Sequence, residues 1–499
     1  MKRRRASLTS FLAVLPLTVV VAAQAQAVDS TGAAPSFGSI TTSRPINPAT
    51  GTTNPSARAT QTLNPYLGST PDGKVVDEEI KLTLQDAVAR GLKFNLGLID
   101  SEQADAQARA QREHAFAELL PQISSRAEQT YQQVSYKQLN IKLPAASGLT
   151  IPPTSGGFGY SEARINAESP VLNVHLLERY RQQKTLETAS LLSTKDARDV
   201  VVFAVGAAYF QVVASQARLE TAKAALASAQ ELNRQVEDQY KSEVSPEIDA
   251  LRARVEQSSA EQRVVDATND FEKDKLTLDR ITGIPLAQRW RLSGDYTYVA
   301  LTDLGSNQDF ASQSRYDVAS AKLGVSAAKL GVKAARAERL PEIVFGGTYG
   351  GGGTNPANYN QVYSVQGSLN VPIFTSGRIH SDVHAAEAVL VQQEAEYRDL
   401  EGRVEYDIRI SRLDAQSSES AVKVAEANQK LAERTLEQSE DRYRSGVTNY
   451  LEVLEAQEAR VTANENYIAS LFSYNVAKIA LARALGSAET RLTGFFGQQ

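Results

Sequence analysis

Residues 376–445 read SGRIHSDVHAAEAVLVQQEAEYRDLEGRVEYDIRISRLDAQSSESAVKVAEANQKLAERTLEQSEDRYRS, with no proline and only Gly377 and Gly402 as glycines. As one helix this stretch reaches about 105 Å at 1.5 Å per residue. A periodic pattern this long points to a coiled-coil-like element rather than a globular helix. A 4-3 spacing picks out Val404, Ile408, Ser411, Ala415, Ser418, Val422, Ala425, Gln429, Ala432, Leu436, Ser439 and Tyr443. That seam is made mostly of small side chains, whereas a free two-stranded zipper favours Leu and Ile. Close-packed helices laid side by side into a larger cylinder fit it better. Leu172 to Lys241 is a second proline-free stretch of the same kind. Each has an antiparallel return helix after a turn, at Asp249–Thr282 and Leu451–Leu485.

Outward from the long helices, the chain repeats itself. Glu118-Leu119-Leu120-Pro121-Gln122-Ile123 is echoed by Glu338-Arg339-Leu340-Pro341-Glu342-Ile343. Ser169-Pro170-Val171-Leu172 is echoed by Val371-Pro372-Ile373-Phe374, and Tyr240-Lys241-Ser242-Glu243-Val244 by Tyr443-Arg444-Ser445-Gly446-Val447. Ile281-Thr282-Gly283 pairs with Ala484-Leu485-Gly486. The extra residues of the first copy fall in the Pro- and Gly-rich loop from Leu143 to Gly159, as insertions do in exposed loops. Between the Leu-Pro step and the long helix, each copy has two segments of strand-like alternation. In the second copy Ile343, Phe345 and Tyr349 share a face, as do Tyr363, Val365, Leu369 and Val371, with Ser364, Gln366, Ser368 and Asn370 opposite. In the first, Ala163, Ile165 and Ala167 oppose Glu162, Arg164, Asn166 and Glu168. One apolar and one polar face suits a barrel with lipid outside and water inside; a half-buried sheet alternates in the same way.

The N-terminus reads as an export signal spanning 1–27: basic Lys2-Arg3-Arg4-Arg5, apolar Phe11 to Val21, and a small-x-small cleavage site at Ala25-Gln26-Ala27. Residues 28–75, rich in Ser, Thr, Pro, Gly and Asn, read as a flexible leader. The first repeat then covers 76–300, with strands near 122–134 and 158–171. The second covers 301–486, with strands near 342–350 and 361–373, and 487–499 is a tail. Beyond the export signal no stretch reads as a transmembrane helix, so membrane residence requires strands closed into a barrel. Two strands per repeat are four per chain, too few for closure, because small membrane barrels have about 8. The chain must oligomerise if its strands span a membrane. Cysteine is absent from the 499 residues, so stability must come from packing or assembly. The formal net charge of −5, with basic and acidic residues mixed at helical spacing, gives no footprint for nucleic acid.

From Leu82 to Gly486 the sequence resembles the TolC family of outer-membrane efflux proteins. The resemblance rests on Leu82-Thr83-Leu84-Gln85-Asp86-Ala87 through Asn95, on Arg315-Tyr316-Asp317-Val318 through Leu340-Pro341, and on Tyr443 through Val447 into Leu451-Glu452-Val453-Leu454-Glu455-Ala456. It implies a homotrimer with a 12-stranded transmembrane β-barrel above an α-helical tunnel, in outer-membrane lipid with the helices in the periplasm. It also implies a periplasmic adaptor and an inner-membrane transporter as partners, in tripartite efflux or type I secretion. By the same resemblance, Glu452 and Glu455 line the narrow periplasmic aperture as acidic rings. Tyr443 and Asp249 match a gating latch, with Thr448 where the family has a basic residue. Ser445, Gly446 and Val447, with Ser242, Glu243 and Val244, match the adaptor-docking tips. The second tip carries Gly446 for a positive-φ turn. The first departs at Glu243, and Pro246 is the residue expected to shape it.

The sequence carries no catalytic constellation and calls for no cofactor. His380 and His384 stand i, i+4 on a helix without HExxH or an evident third ligand, so they read as polar side chains and no metal is expected. The glycines at 346–347 and 350–353 lack the Lys-Ser/Thr of a phosphate loop. Trp290, with Leu286 and Leu292, reads as packing a link between the repeats. A long-helixed periplasmic adaptor and an enzyme on a repetitive scaffold remain as other classes. An adaptor normally carries a single hairpin between small β domains, and no site argues for the enzyme.

Overall fold

The computed structural model describes residues 64–71, 75–136, 154–293, 298–299, 315–354 and 359–490, all within one unit, Thr62–Gln499. The export signal at 1–27, most of 28–75, most of the loop from Leu143 to Gly159 and the end of the tail lie outside these residues. The chain runs β1 (Ile80–Leu82), α1 (Leu84–Phe94), α2 (Leu96–Ala117), β2 (Gln122–Ser135), β3 (Thr154–Leu172), α3 (Val174–Lys241) and α4 (Glu247–Thr282). It continues through β4 (Trp290–Leu292), α5 (Tyr316–Ala337), β5 (Glu342–Gly353), β6 (Asn360–Asn370), α6 (Arg378–Arg444) and α7 (Tyr450–Ala484). The fold is mostly helical with a minority of strands.

The long helices follow from the pattern of small apolar residues and from defined ends. α3 starts where Asn173 accepts from the Leu176 N–H at 3.0 Å, because β3 holds the chain extended through Leu172. α6 starts after Gly377, whose φ of 85° turns the chain out of the sheet. α7 starts at Asn449, which accepts from the Glu452 N–H. Val404, Ile408, Ser411, Ala415, Val422, Ala425, Leu436, Ser439 and Tyr443 of the 4-3 seam are buried, and Ser418, Gln429 and Ala432 are half-buried. Small seam residues let α6 and α7 lie side by side, as α3 and α4 do, and α5 bridges α3 and α6.

The largest core gathers where α1, α3, α4 and α7 meet, around Val201, Val205, Tyr209, Leu278 and Ile479. One window of α3 here is apolar and long enough to cross a membrane, which corrects the reading that no stretch beyond the export signal qualifies. Its residues are 61% buried by neighbouring elements, so it is core. Beside it β1 and β4 pair in parallel, Leu82 against Leu292. Trp290 is buried at 3% exposure and its Nε1–H donates to Asp279 Oδ1 at 2.7 Å. Leu286, expected to pack with it, is exposed, since it lies in the turn between α4 and β4.

The second layer is an antiparallel sheet in the order β2-β3-β5-β6. β2 pairs with β3 from Gln122↔Glu168 to Ser135↔Thr154, and β3 with β5 from Ser161↔Gly353 to Leu172↔Ile343. β5 pairs with β6 from Glu342↔Asn370 to Gly352↔Asn360. β2 and β6 are therefore edges within the chain.

Candidate functional site

The two long hairpins end together in a small core that includes Leu232, Val236, Ala250, Leu436, Tyr443 and Tyr450. Their turns close by the same pattern. After α3, the Glu243 N–H donates to the Tyr240 C=O at 3.0 Å and the Val244 N–H to the Gln239 C=O at 2.9 Å. After α6, the Gly446 N–H donates to the Tyr443 C=O at 3.0 Å and the Val447 N–H to the Arg442 C=O at 2.9 Å. This is the Schellman arrangement, which needs one residue in the left-handed region. Gly446 takes it with φ 71°, and Glu243 takes it with φ 57°. The first turn thus keeps the geometry without the glycine, correcting the expectation that Pro246 shapes it. Pro246 instead sits just before α4, in extended conformation. Both turns present a valine to solvent, Val244 at 75% and Val447 at 68% exposure.

Tyr443 and Asp249 come together behind these turns. The Tyr443 hydroxyl donates to Gln239 Oε1 at 2.7 Å, and its ring lies 6.1 Å from that of Tyr450. Burial first, and then the Asp249 charge, hold the Tyr443 hydroxyl above its ordinary value. Tyr450, almost fully buried, is pushed up to about 12 by the same desolvation. Asp249 is buried in the first turn of α4, where the helix dipole favours a carboxylate, and Arg252 Nη1 lies 3.3 Å away.

Glu452 and Glu455 do not share one environment. Glu452 stands in the first turn of α7: its N–H donates to Asn449 Oδ1 at 3.4 Å, the Thr448 hydroxyl donates to its carboxylate, and Arg442 Nε is 3.5 Å from Oε1. Glu455 is exposed one turn further on and makes no ion pair among the described residues. Arg442 and Gln239 were not singled out from sequence. Each acts across a turn or between hairpins, where sequence spacing carries no periodic signal.

Elsewhere, His380 and His384 contact each other, Nε2 to Nε2 at 2.9 Å, and Glu387 Oε2 stands 3.4 Å from His384 Nδ1. Among the described residues no group of three His, Cys, Asp or Glu side chains is placed to hold a metal ion. Burial pushes Asp279 up to about 7 even though Trp290 donates to it. Asp196, between α3 and α7, is raised to about 6 by burial against the opposing pull of Arg483, 2.7 Å away.

The sheet is the other candidate surface. Ile123, Ile165, Tyr349, Tyr363, Val365 and Leu369 lie on one face and all are exposed. The opposite face is polar: Thr348 and Ser364 hydrogen-bond there at 2.7 Å, beside Asn166 and Ser124. An apolar face of this extent on one side of a sheet marks a contact with lipid or protein.

Known proteins of this shape are numerous. The "Outer membrane efflux protein" family profile matches residues 92–284 and 309–487. The pyoverdine export outer membrane protein OpmQ of Pseudomonas putida is 24% identical over 411 residues, covering 80% of this chain and 84% of that protein. The toluene efflux pump outer membrane protein TtgC of Pseudomonas putida is 25% identical over 447 residues, covering 85% and 86%. The crystal structure of the Campylobacter jejuni CmeC outer membrane channel superposes with a TM-score of 0.72 at 19% identity, covering 86% of this chain and 93% of that one.

Proposed function

We propose a passive exit duct, taking as premise that this chain belongs to the outer membrane efflux protein family, whose profile spans most of its length. Its relatives are outer membrane efflux channels, not enzymes, and the chain is an outer-membrane protein of that class. The finer reading is a homotrimer. Each chain gives four strands, so three chains supply twelve for one barrel, with the helical hairpins as a tunnel about 100 Å long. The element order helix, two strands, long helix, return helix occurs twice along the chain and supports an origin by duplication.

One observation carries the proposal: a sheet whose large apolar side chains lie exposed on one face has open edges at β2 and β6. In lipid each unpaired backbone group costs several kcal/mol, so the edges must meet partner strands, and the apolar face must turn outward. The helices support the same assembly, because α4 and α6 leave Val255, Val265, Leu413, Val424 and Leu431 exposed in the single chain. At the far end, Glu455 and the partly neutralised Glu452 form the aperture rings, while Tyr443 and Asp249 hold the tips together as a latch. The exposed valines of the turns, flanked by Ser242, Glu243, Ser445 and Gly446, are the docking points for a periplasmic adaptor. An inner-membrane transporter then delivers cargo, and the chain itself performs no chemistry.

Purified protein is run unboiled on a gel and reconstituted into planar bilayers. A trimer that produces stepwise conductance is expected. A monodisperse monomer in detergent that never conducts overturns the duct.

A further inference from the structure

On the polar face of the sheet, two rows of charge lie side by side. Arg126 is directly opposite Arg164, which in turn faces Gly350 of β5 and then Val362 of β6. One row along, Glu128 is directly opposite Glu162, followed by Gly352 and Asn360. Like charges directly opposed across an antiparallel pair destabilise a sheet. Here two such pairs occur in succession, and the Arg164 guanidinium contacts Glu162 along the strand. Packing does not require this arrangement: neighbouring positions on the same face hold Ser124, Asn166 and Thr348.

The glycines are the second observation. A Cβ at Gly350 would come within 2.2 Å of the Ala163 carbonyl, and one at Gly352 within 2.5 Å of the Tyr160 hydroxyl. Neither position has room for a side chain. β5 therefore adds no side chain to either row; the Tyr160 side chain covers Gly352, and Val362 and Asn360 continue the rows on β6. The two rows are two residues apart, about 7 Å along a strand. Both arginines lie on the α2 and α3 side of both glutamates, because β2 leaves α2 and β3 leads into α3.

We infer that Arg126, Arg164, Glu128 and Glu162 form a double ring in the barrel lumen that sets charge selectivity and favours dipolar cargo. Such cargo carries a carboxylate and a cationic group separated by several ångströms. The inference rests on the trimeric duct, in which the two arginines and two glutamates of each chain recur three times around the lumen. Cargo leaving the tunnel passes Glu168, two rows nearer α3 on the same face, then the guanidinium row and then the carboxylate row. A zwitterion with its cationic end leading at the second row and its acid trailing at the first is attracted by both. A singly charged molecule is attracted by one row and repelled by the other. For small ions the two rows largely cancel.

Reversal potentials in a KCl gradient across reconstituted trimers test this. Arg126→Gln with Arg164→Gln shifts the permeability ratio toward K⁺, and Glu128→Gln with Glu162→Gln shifts it toward Cl⁻. Each shift is about threefold, the scale of one unit charge about 7 Å from an ion in water. Liposome swelling adds a second readout: glycylglycine enters faster than its N-acetyl and amide derivatives with the parental protein, and either double variant loses that advantage. Arg164→Gln and Glu162→Gln alone give the same shifts in reduced form should a double variant fail to assemble. Variants that conduct with the parental ratio, and swelling rates indifferent to the probe's charge, overturn the double ring. Absence of any conductance from the parental protein overturns the duct instead.

Discussion

The first hairpin tip holds Glu243 at φ 57°, and the second holds Gly446 at φ 71° in an otherwise matching turn. Replacing Glu243 by glycine therefore tightens the first tip, and replacing Gly446 by alanine loosens the second. A side chain in the left-handed region costs roughly 1–2 kcal/mol. Glycine gives back roughly 0.5–1 kcal/mol through the extra freedom of its open state, leaving a net gain of about 0.5–1 kcal/mol for Glu243→Gly. A Cβ at Gly446 would meet nothing within 4 Å, so the loss in Gly446→Ala is backbone strain alone, of similar size and opposite sign. Hydrogen exchange read by mass spectrometry on the assembled protein measures both, at the amides of Val244 and Val447 that close the turns. A change of this size alters protection about two- to fivefold when exchange proceeds by local opening. Glu243→Ala is the control: it keeps the strain but removes a carboxylate from a helix C-terminus, where the dipole disfavours it. Slower exchange in the glycine variant than in the alanine variant is expected. Equal or faster exchange in the glycine variant would refute the claim that this turn is strained.

Tyr443→Phe removes the bond to Gln239 and costs about 1 kcal/mol at the tips, seen as raised single-channel conductance if the latch holds the mouth closed. Asp279 has its folded pKa raised to about 7 from an ordinary 3.8, so its contribution is fully present below about pH 4 and is lost as pH rises to about 7. Asp279→Asn keeps an acceptor for Trp290 and removes that slope; the parental-minus-variant difference in denaturant midpoint changes by the equivalent of about 3 kcal/mol between pH 4.5 and 8. Ala415→Leu overfills a fully buried seam position and costs about 1–3 kcal/mol, measured as a lower thermal midpoint. Tyr363→Arg puts a charge on the exposed apolar face proposed to turn to lipid and costs about 2–4 kcal/mol if it lies near the bilayer midplane, seen as a reduced trimer yield on unboiled gels.

The helices were legible because their signal is long and redundant. The 4-3 spacing from Val404 to Tyr443 marks a face with a dozen positions, and no single odd residue such as Gln429 can hide it. The alternation of Tyr363, Val365 and Leu369 against Ser364, Gln366 and Ser368 marks a strand in the same way, and β6 covers those residues. The tips were legible only in part. Gly446 announces a positive φ, but Glu243 adopts one because hydrogen bonds to Gln239 and Tyr240 impose it, a cause invisible to residue preference. Arg442 beside Glu452 was missed because the contact crosses a turn. In sequence Asp279 is one helix carboxylate among many; only its burial under Trp290 distinguishes it. The glycines at 350–353 show in sequence only what they lack, the Lys-Ser/Thr of a phosphate loop, and their close approach to β3 depends on a register that sequence does not state.

In the proposed trimer the single chain is incomplete at both ends of its length. Among the described residues, every strand longer than three residues already belongs to the β2-β3-β5-β6 sheet, so the chain holds no further strand to cap β2 or β6. Along the helices, the seam residues that could bind a neighbour tightly are spent within the chain, and what remains outside are spaced single valines and leucines such as Val255, Val265, Leu413, Val424 and Leu431. Such a surface binds weakly at each point, but its contacts add along about 100 Å of helix. Strand closure is the opposite case, short and strong, because in lipid each unpaired backbone group costs several kcal/mol. The two interfaces therefore differ in what can move. In the proposed trimer the barrel must stay closed, whereas the helical part can slide or rotate at small cost per contact, and the boundary between the two falls at the Leu340-Pro341 and Leu120-Pro121 steps where helix passes into strand. If Tyr443 and Asp249 form the proposed latch, opening of the mouth asks nothing of the sheet, and the inferred charge rows in the barrel keep their spacing while the tips part.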